Sequence, residues 1–178
     1  MEDHELITAR LRLEPVVLKH AVLVYNQLSD ERLWKHFPEL RPKSLAELKT
    51  LYERWERHRA NPQSTDHVEN WTIFLREDDT PVATMQANLF ADGTASLAII
   101  VFLAHHGKGY AKEFVDAVME HLHNEHAITS VRLEIDTHNQ AGIAFAKSLG
   151  FRLAEERRDV DRRYGLFGDE SIYVRDLS

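Results

Sequence analysis

The chain has 178 residues, 43% of them hydrophobic and 29% charged, as expected for one globular domain with a sizeable core. It contains no cysteine, which excludes disulfide scaffolds, thiolate metal sites and cysteine nucleophiles within this sequence. A formal net charge of −7 argues against a general nucleic-acid binder, whose binding face is usually basic.

The opening "MEDHELITARLRLEP" has an early acidic pair and no long apolar run, so no signal peptide is expected, and no later segment approaches bilayer length. A cytoplasmic protein without a membrane partner is the default expectation. Residues 6–16, "LITARLRLEPV", alternate apolar and polar positions and read as a strand. "LKHAVLVYNQLSD" reads as a helix, with Ala21, Leu23, Val24 and Leu28 near a 3.6-residue period. Pro38 and Pro42 break any continuation. Ser44 and Glu47 form a capping box opening a second helix over 45–58, whose stripe Leu45, Leu48, Leu51, Tyr52 and Trp55 reads as core.

A polar loop over 58–70 precedes three strand-like runs, "WTIFLRE", "VATMQANLF" and "TASLAIIVF", with turns short enough for antiparallel hairpins. Residues 110–123 read as a helix presenting Phe114, Val115, Val118 and Leu122. "SVRLEIDT" is a strand, and "NQAGIAFAKSLGF" a short helix closed by Gly150 and followed by apolar Phe151. "FRLAEERRDV" and "ESIYVRDL" complete the pattern as strands. The reading is a single α+β domain over residues 1–178 with a mostly antiparallel sheet of about seven strands and about four helices.

The stretch "FLAHHGKGYAKEF" (102–114) places two of the chain's 7 glycines between a strand and a helix. The first N–H groups of a helix lack intrahelical acceptors, and glycines let backbone approach an anion closely, so the stretch is either a tight turn or an anion cradle. A Walker loop does not fit, because Tyr110 and Ala111 follow Gly109. The dinucleotide fingerprint does not fit either, because position 112 is Lys112.

The loop instead resembles the acyl-CoA pyrophosphate signature of the GCN5-related N-acetyltransferase (GNAT) superfamily, [QR]-x-x-G-x-[GA]. Here it reads "HGKGYA", with Gly109 and Ala111 at the small-residue positions and His106 where Gln or Arg is usual. "ITARLRLEP" resembles the opening strand of the RimJ/RimL-like branch, the ribosomal-protein N-terminal acetyltransferases and their relatives. "NQAGIAFAKSLGF" resembles the superfamily's N-x-x-[SA]-x-x-[LFV]-x-x-x-x-G-F helix, and the element order agrees over essentially the whole chain.

That resemblance implies a GNAT-type domain with splayed central strands and the pantetheine arm of acetyl-CoA lying between them. Val101, Phe102 and Leu103 would offer backbone hydrogen bonds to the arm and acetyl carbonyl, with an N–H near Val101 stabilising the oxyanion. His106, Gly107, Lys108, Gly109, Tyr110 and Ala111 would form the pyrophosphate site. His106 would add a pH-dependent charge or nothing. Asn139 would hydrogen-bond the pantetheine region, or cap a helix, or do both. Phe145 would lie near that end or belong to the core.

Where many members place a general-acid tyrosine, this chain has Ala146, and where the ribosomal-protein enzymes place serine it has Gly142. The position often held by a glutamate before the loop aligns near Ser96. Glu134 is the candidate base, on a strand expected to put Glu134 and Asp136 opposite Val131, Leu133 and Ile135, with solvation as the plain alternative. "HLHNEH" (121–126) reads as a solvated helix end rather than a metal site, and no metal is expected. Trp34 and Phe37 either stack on a substrate or pack.

The implied activity is acetyl transfer from acetyl-CoA to an amine, either a protein N-terminus or a small molecule. The alternative is a CoA-binding sensor or interaction module without catalysis. A homodimer is left open.

Overall fold

The computed structural model describes residues 5–61, 67–161 and 167–177. Along the chain come β1 (Leu6–Ile7), β2 (Leu11–Pro15), α1 (His20–Leu28), α2 (Leu45–Ala60), β3 (Val68–Leu75), β4 (Pro81–Leu89), β5 (Thr94–Val101), α3 (Tyr110–His126), β6 (Ser130–Asp136), α4 (Gln140–Ser148), β7 (Arg152–Asp161) and β8 (Phe167–Asp176). Short 3₁₀ turns occupy Glu31–Trp34, Pro38–Leu40 and Leu103–His105. The strands form one 8-stranded sheet in the order β1-β2-β3-β4-β5-β6-β8-β7. β1/β2, β2/β3, β3/β4, β6/β8 and β7/β8 are antiparallel. β5 and β6 are parallel, with Thr94–Ser96 set against Ser130–Arg132. Among the described residues no helix is long and apolar enough to cross a membrane.

The α+β class and mostly antiparallel sheet agree with the sequence reading, but there are eight strands rather than about seven. The extra strand comes from "LITARLRLEP", which turns back on itself so that Leu6 faces Leu13 and Ile7 faces Arg12. In that turn the Thr8 N–H donates to the Leu11 carbonyl at 2.9 Å, and Thr8 Oγ1 accepts from the Leu11 N–H at 3.0 Å.

The chain divides into two compact units, residues 1–88 with 98–118 and residues 89–97 with 119–178. In the first unit a buried cluster joins Val16, Ala21, Val24, Leu28, Trp34, Leu48, Tyr52 and Phe102. Ser44 Oγ caps α2 by accepting the Glu47 N–H at 3.1 Å, while Glu47 Oε2 accepts from Lys43 N–H at 2.8 Å. The polar loop expected over 58–70 is shorter than expected: α2 runs to Ala60, β3 begins at Val68, and residues 62–66 lie outside the described residues.

One expectation for α1 is corrected. Leu23 is 50% exposed, and His20 takes a core position instead. His20 Nε2 lies 3.0 Å from Glu14 Oε2, and its ring meets Phe74 edge-on. Of the two alternatives for Trp34, packing is the one found: it belongs to the core, its indole N–H donating to the Leu28 carbonyl at 2.6 Å.

In the second unit, α4 ends in a Schellman motif. Gly150 sits at φ +81°, its N–H donates to the Lys147 carbonyl at 3.0 Å, and the Phe151 N–H reaches the Ala146 carbonyl at 3.1 Å. Phe151 is buried with Leu149 and Ala146.

Candidate acetyl-CoA site

The glycine loop lies in the first unit. β5 ends at Val101, the 3₁₀ turn follows, and α3 starts at Tyr110. Gly107 and Gly109 adopt φ +72° and +77°, a left-handed conformation costly for other residues. A Cβ on Gly107 would meet nothing within 4 Å, and one on Gly109 would lie 3.5 Å from an Arg10 Nη2. Backbone conformation rather than crowding thus explains the glycines. Among the described residues none accepts the N–H groups of Gly107, Lys108, Gly109, Tyr110 or Ala111. Together with the start of a 17-residue helix, they form a donor array suited to an anion.

His106 does not simply stand beside this array. Its Nε2 lies 2.7 Å from the Val101 carbonyl, and since a carbonyl only accepts, Nε2 carries the proton and donates. The side chain therefore ties the loop to the end of β5. His105 is half-buried, and burial holds its pKa below the ordinary 6.5, with Lys108 adding to the effect and Asp78 opposing it. The Lys108 side chain is exposed.

Of the three strand-end residues expected to face the pantetheine arm, Phe102 is otherwise engaged. Its N–H donates to the Val82 carbonyl at 2.9 Å, its carbonyl accepts from His105 N–H at 2.8 Å, and its side chain is in the core. Leu103 is half-buried and its carbonyl accepts the His106 N–H at 3.3 Å. Val101 is half-buried. A cavity of about 340 Å³ borders this stretch, walled by Asn26, Gln27, Asp30, Arg32 and residues 102–105. Hydrogen bonds from Arg32 hold the Asp30 carboxyl down at about 2, so the wall carries an ionised carboxylate paired with a guanidinium.

Two residues of this region escaped the sequence reading. Arg10, from the β1–β2 turn, donates from Nε to Glu113 Oε2 at 2.7 Å and from Nη1 to the Lys108 carbonyl at 3.0 Å. Its guanidinium lies 4.6 Å from the Tyr110 ring centroid. Glu113, on the first turn of α3, also accepts from Arg10 N–H at 2.7 Å and Thr8 Oγ1 at 2.6 Å. Burial alone would raise the Glu113 pKa, but these donors together hold it below the ordinary 4.5.

The second unit holds the other candidates. Asn139 is the N-cap of α4, its Oδ1 accepting the Gly142 N–H at 2.9 Å. Phe145 is half-buried, and Ala146, where many relatives would carry tyrosine, is wholly buried. Glu134 is exposed, and its Oε1 lies 3.2 Å from Arg132 Nε. Asp136 pairs in regular register with Glu170 two residues beyond Glu134, but unlike Glu134 it is buried rather than solvated. It accepts the His138 N–H at 2.7 Å, while its carbonyl accepts the Asn139 N–H at 2.8 Å, and so it builds the turn presenting Asn139. In the histidine-rich end of α3, the His123 ring meets the Ile128 carbonyl at 2.9 Å, and the His121 and His126 rings pack edge-on at 5.5 Å.

The acetyltransferase (GNAT) domain family matches residues 10–152, and the chain belongs to that family. No curated protein matches the sequence. Solved structures share the fold at low identity. An acetyltransferase from Salmonella typhimurium that modifies the N-terminal serine of ribosomal protein L7/L12 is 15% identical, with a TM-score of 0.81 over 98% of this chain and 100% of that one. RimL, the ribosomal L7/L12 alpha-N-protein acetyltransferase in complex with CoA, is 16% identical, with a TM-score of 0.80 over 98% of each chain. A spermidine N-acetyltransferase chimera with a Vibrio cholerae component is 14% identical, with a TM-score of 0.75 over 93% of this chain and 95% of that one.

Proposed function

We propose that residues 1–178 form one acetyl-CoA-dependent N-acetyltransferase domain of the RimJ/RimL-like branch, acting in the cytoplasm. The observation that carries this reading is the row of N–H groups from Gly107 to Ala111, without acceptors among the described residues, at the head of α3 in a chain of the GNAT family. These groups would hold the CoA pyrophosphate, with the exposed Lys108 side chain adding charge. Of the strand-end residues, Val101 and Leu103 would serve the pantetheine arm and acetyl carbonyl, Phe102 being engaged internally. The cavity beside residues 102–105 would receive the acceptor.

The acceptor amine, once neutral, attacks the thioester carbon. The N–C bond forms, a backbone donor near Val101 stabilises the oxyanion, and the C–S bond breaks to release CoA thiolate. The amine's excess proton leaves through water. With no cysteine in the sequence, no cysteinyl acyl-enzyme forms on this chain. An activated thioester and an oriented amine need little more than positioning and an oxyanion donor, which suits a site lacking side chains at 142 and 146 that could donate protons. Fold relatives with protein N-terminal and polyamine acceptors support an amine acceptor of either size.

The test is thiol release from acetyl-CoA over a panel of peptides with free N-termini, polyamines and aminoacyl compounds. Turnover on one class supports the reading and names the acceptor. Tight CoA binding with no turnover on any amine would leave a CoA-binding module in its place.

A further inference from the structure

We propose that Arg10 is a positioning residue for the nucleotide, holding the phosphate loop with the Gly109 N–H free to donate, through Glu113. This rests on reading the loop as the CoA cradle. A trans peptide points its carbonyl and the following N–H in opposite directions. By taking the Lys108 carbonyl at 3.0 Å, Arg10 Nη1 therefore turns the Gly109 N–H away from itself, where no residue accepts it among the described residues. Gly109 has little intrinsic preference for that orientation, because glycine samples both signs of φ with similar ease. A flipped Lys108–Gly109 peptide would offer an anion a carbonyl oxygen instead of a donor. The loop thus needs an external clamp.

Arg10 is itself held. Its Nε and backbone N–H both donate to Glu113 at 2.7 Å, Thr8 Oγ1 completes the carboxylate's partners at 2.6 Å, and the guanidinium stacks on Tyr110. Glu113 sits on the first turn of α3, so the turn before β2, the loop and the helix start form one hydrogen-bonded brace. Arg10 is 49% exposed at its side chain and Glu113 only 17%, so the anchor is the less mobile of the two.

The experiment is calorimetric titration of CoA into the native protein, Arg10→Ala, Glu113→Gln and the double variant, with amide hydrogen exchange over residues 106–113. Each single variant is expected to bind CoA about tenfold more weakly and to exchange faster in the loop, as for loss of one charge-assisted hydrogen bond. The double variant is expected to lose no more than about twofold beyond the worse single, because both residues act in one brace. Native-like binding by Arg10→Ala would overturn the proposal, and so would additive losses, which mean Arg10 acts apart from Glu113. Should Arg10→Ala fail to fold, Arg10→Lys keeps the charge but cannot span both acceptors. It is expected to bind as weakly as Glu113→Gln, and native affinity would overturn the brace. A native protein that does not bind CoA counts against the cradle reading itself, whereas tight native binding with an unaffected Arg10→Ala counts against the brace alone.

Discussion

The Asn139 side-chain carbonyl accepts the Gly142 N–H at 2.9 Å, and a Cβ built on Gly142 would stand 2.7 Å from Asn139 Nδ2. The cap and the glycine are therefore one feature. Gly142→Ser should push Asn139 off the helix end and lose the cap, lowering stability by about 1 kcal/mol or more without creating a general acid. Urea unfolding checks this, and an unchanged midpoint together with faster turnover would contradict it.

Glu134 was the base suggested by strand alternation and resemblance. In the structure it is exposed and ion-paired with Arg132. A surface pair member contributes little, so Glu134→Gln should leave kcat within about twofold of native on whichever amine proves to be the acceptor. A loss of about 100-fold or more is what removal of a true general base would cause. A pH–rate profile that loses its acidic limb in the variant would restore Glu134 to the mechanism.

His20 gives a pH signature for the first unit. Burial lowers its pKa below 6.5, outweighing the charge and hydrogen bond of Glu14, with Lys19 and Arg59 adding smaller pushes in the same direction as burial. The folded state therefore takes up a proton on this ring less readily than the unfolded chain does, and the two differ in bound protons as pH falls below 6.5. The contribution of His20 to stability is complete above 6.5 and is lost as pH falls toward the folded value. Native protein should lose urea resistance on acidification through this window more steeply than His20→Gln. Parallel slopes would show that the ring titrates alike in both states.

Much of this was legible in the sequence because it was local. The α2 capping box, the α3 stripe of Phe114, Val115, Val118 and Leu122, and the Gly150–Phe151 stop each depend on residues a few positions apart, and each is found in place. The turn at Thr8–Arg10 was not legible, since it carries neither glycine nor proline. Beyond its own Thr8–Leu11 bonds it is held by Glu113, 103 residues from Arg10, and no local pattern announces a partner at that distance. The same separation hid Arg10 as part of the loop. His106 was legible as unusual but not as a tie, because its acceptor is a backbone carbonyl that the side-chain sequence does not reveal. Asp136 keeps its place in the strand register, two residues after Glu134, but it is buried rather than solvated, its carboxylate and carbonyl accepting the His138 and Asn139 N–H groups of the following turn, partners that side-chain alternation does not reveal.

The central claim is that the loop from His106 to Ala111 binds the CoA pyrophosphate through its backbone. The most direct measurement is a calorimetric titration of CoA into native protein and Gly109→Glu. Gly109 holds φ +77°, and a glutamate there would strain the turn and set a carboxylate against the phosphates. Native protein should bind CoA with a Kd in the micromolar range, about 1–100 μM, and the variant should show no measurable binding while keeping native thermal stability to within a few degrees. Equal affinity in the two proteins would contradict the account, because the donors from Gly107 to Ala111 would then not be holding the nucleotide.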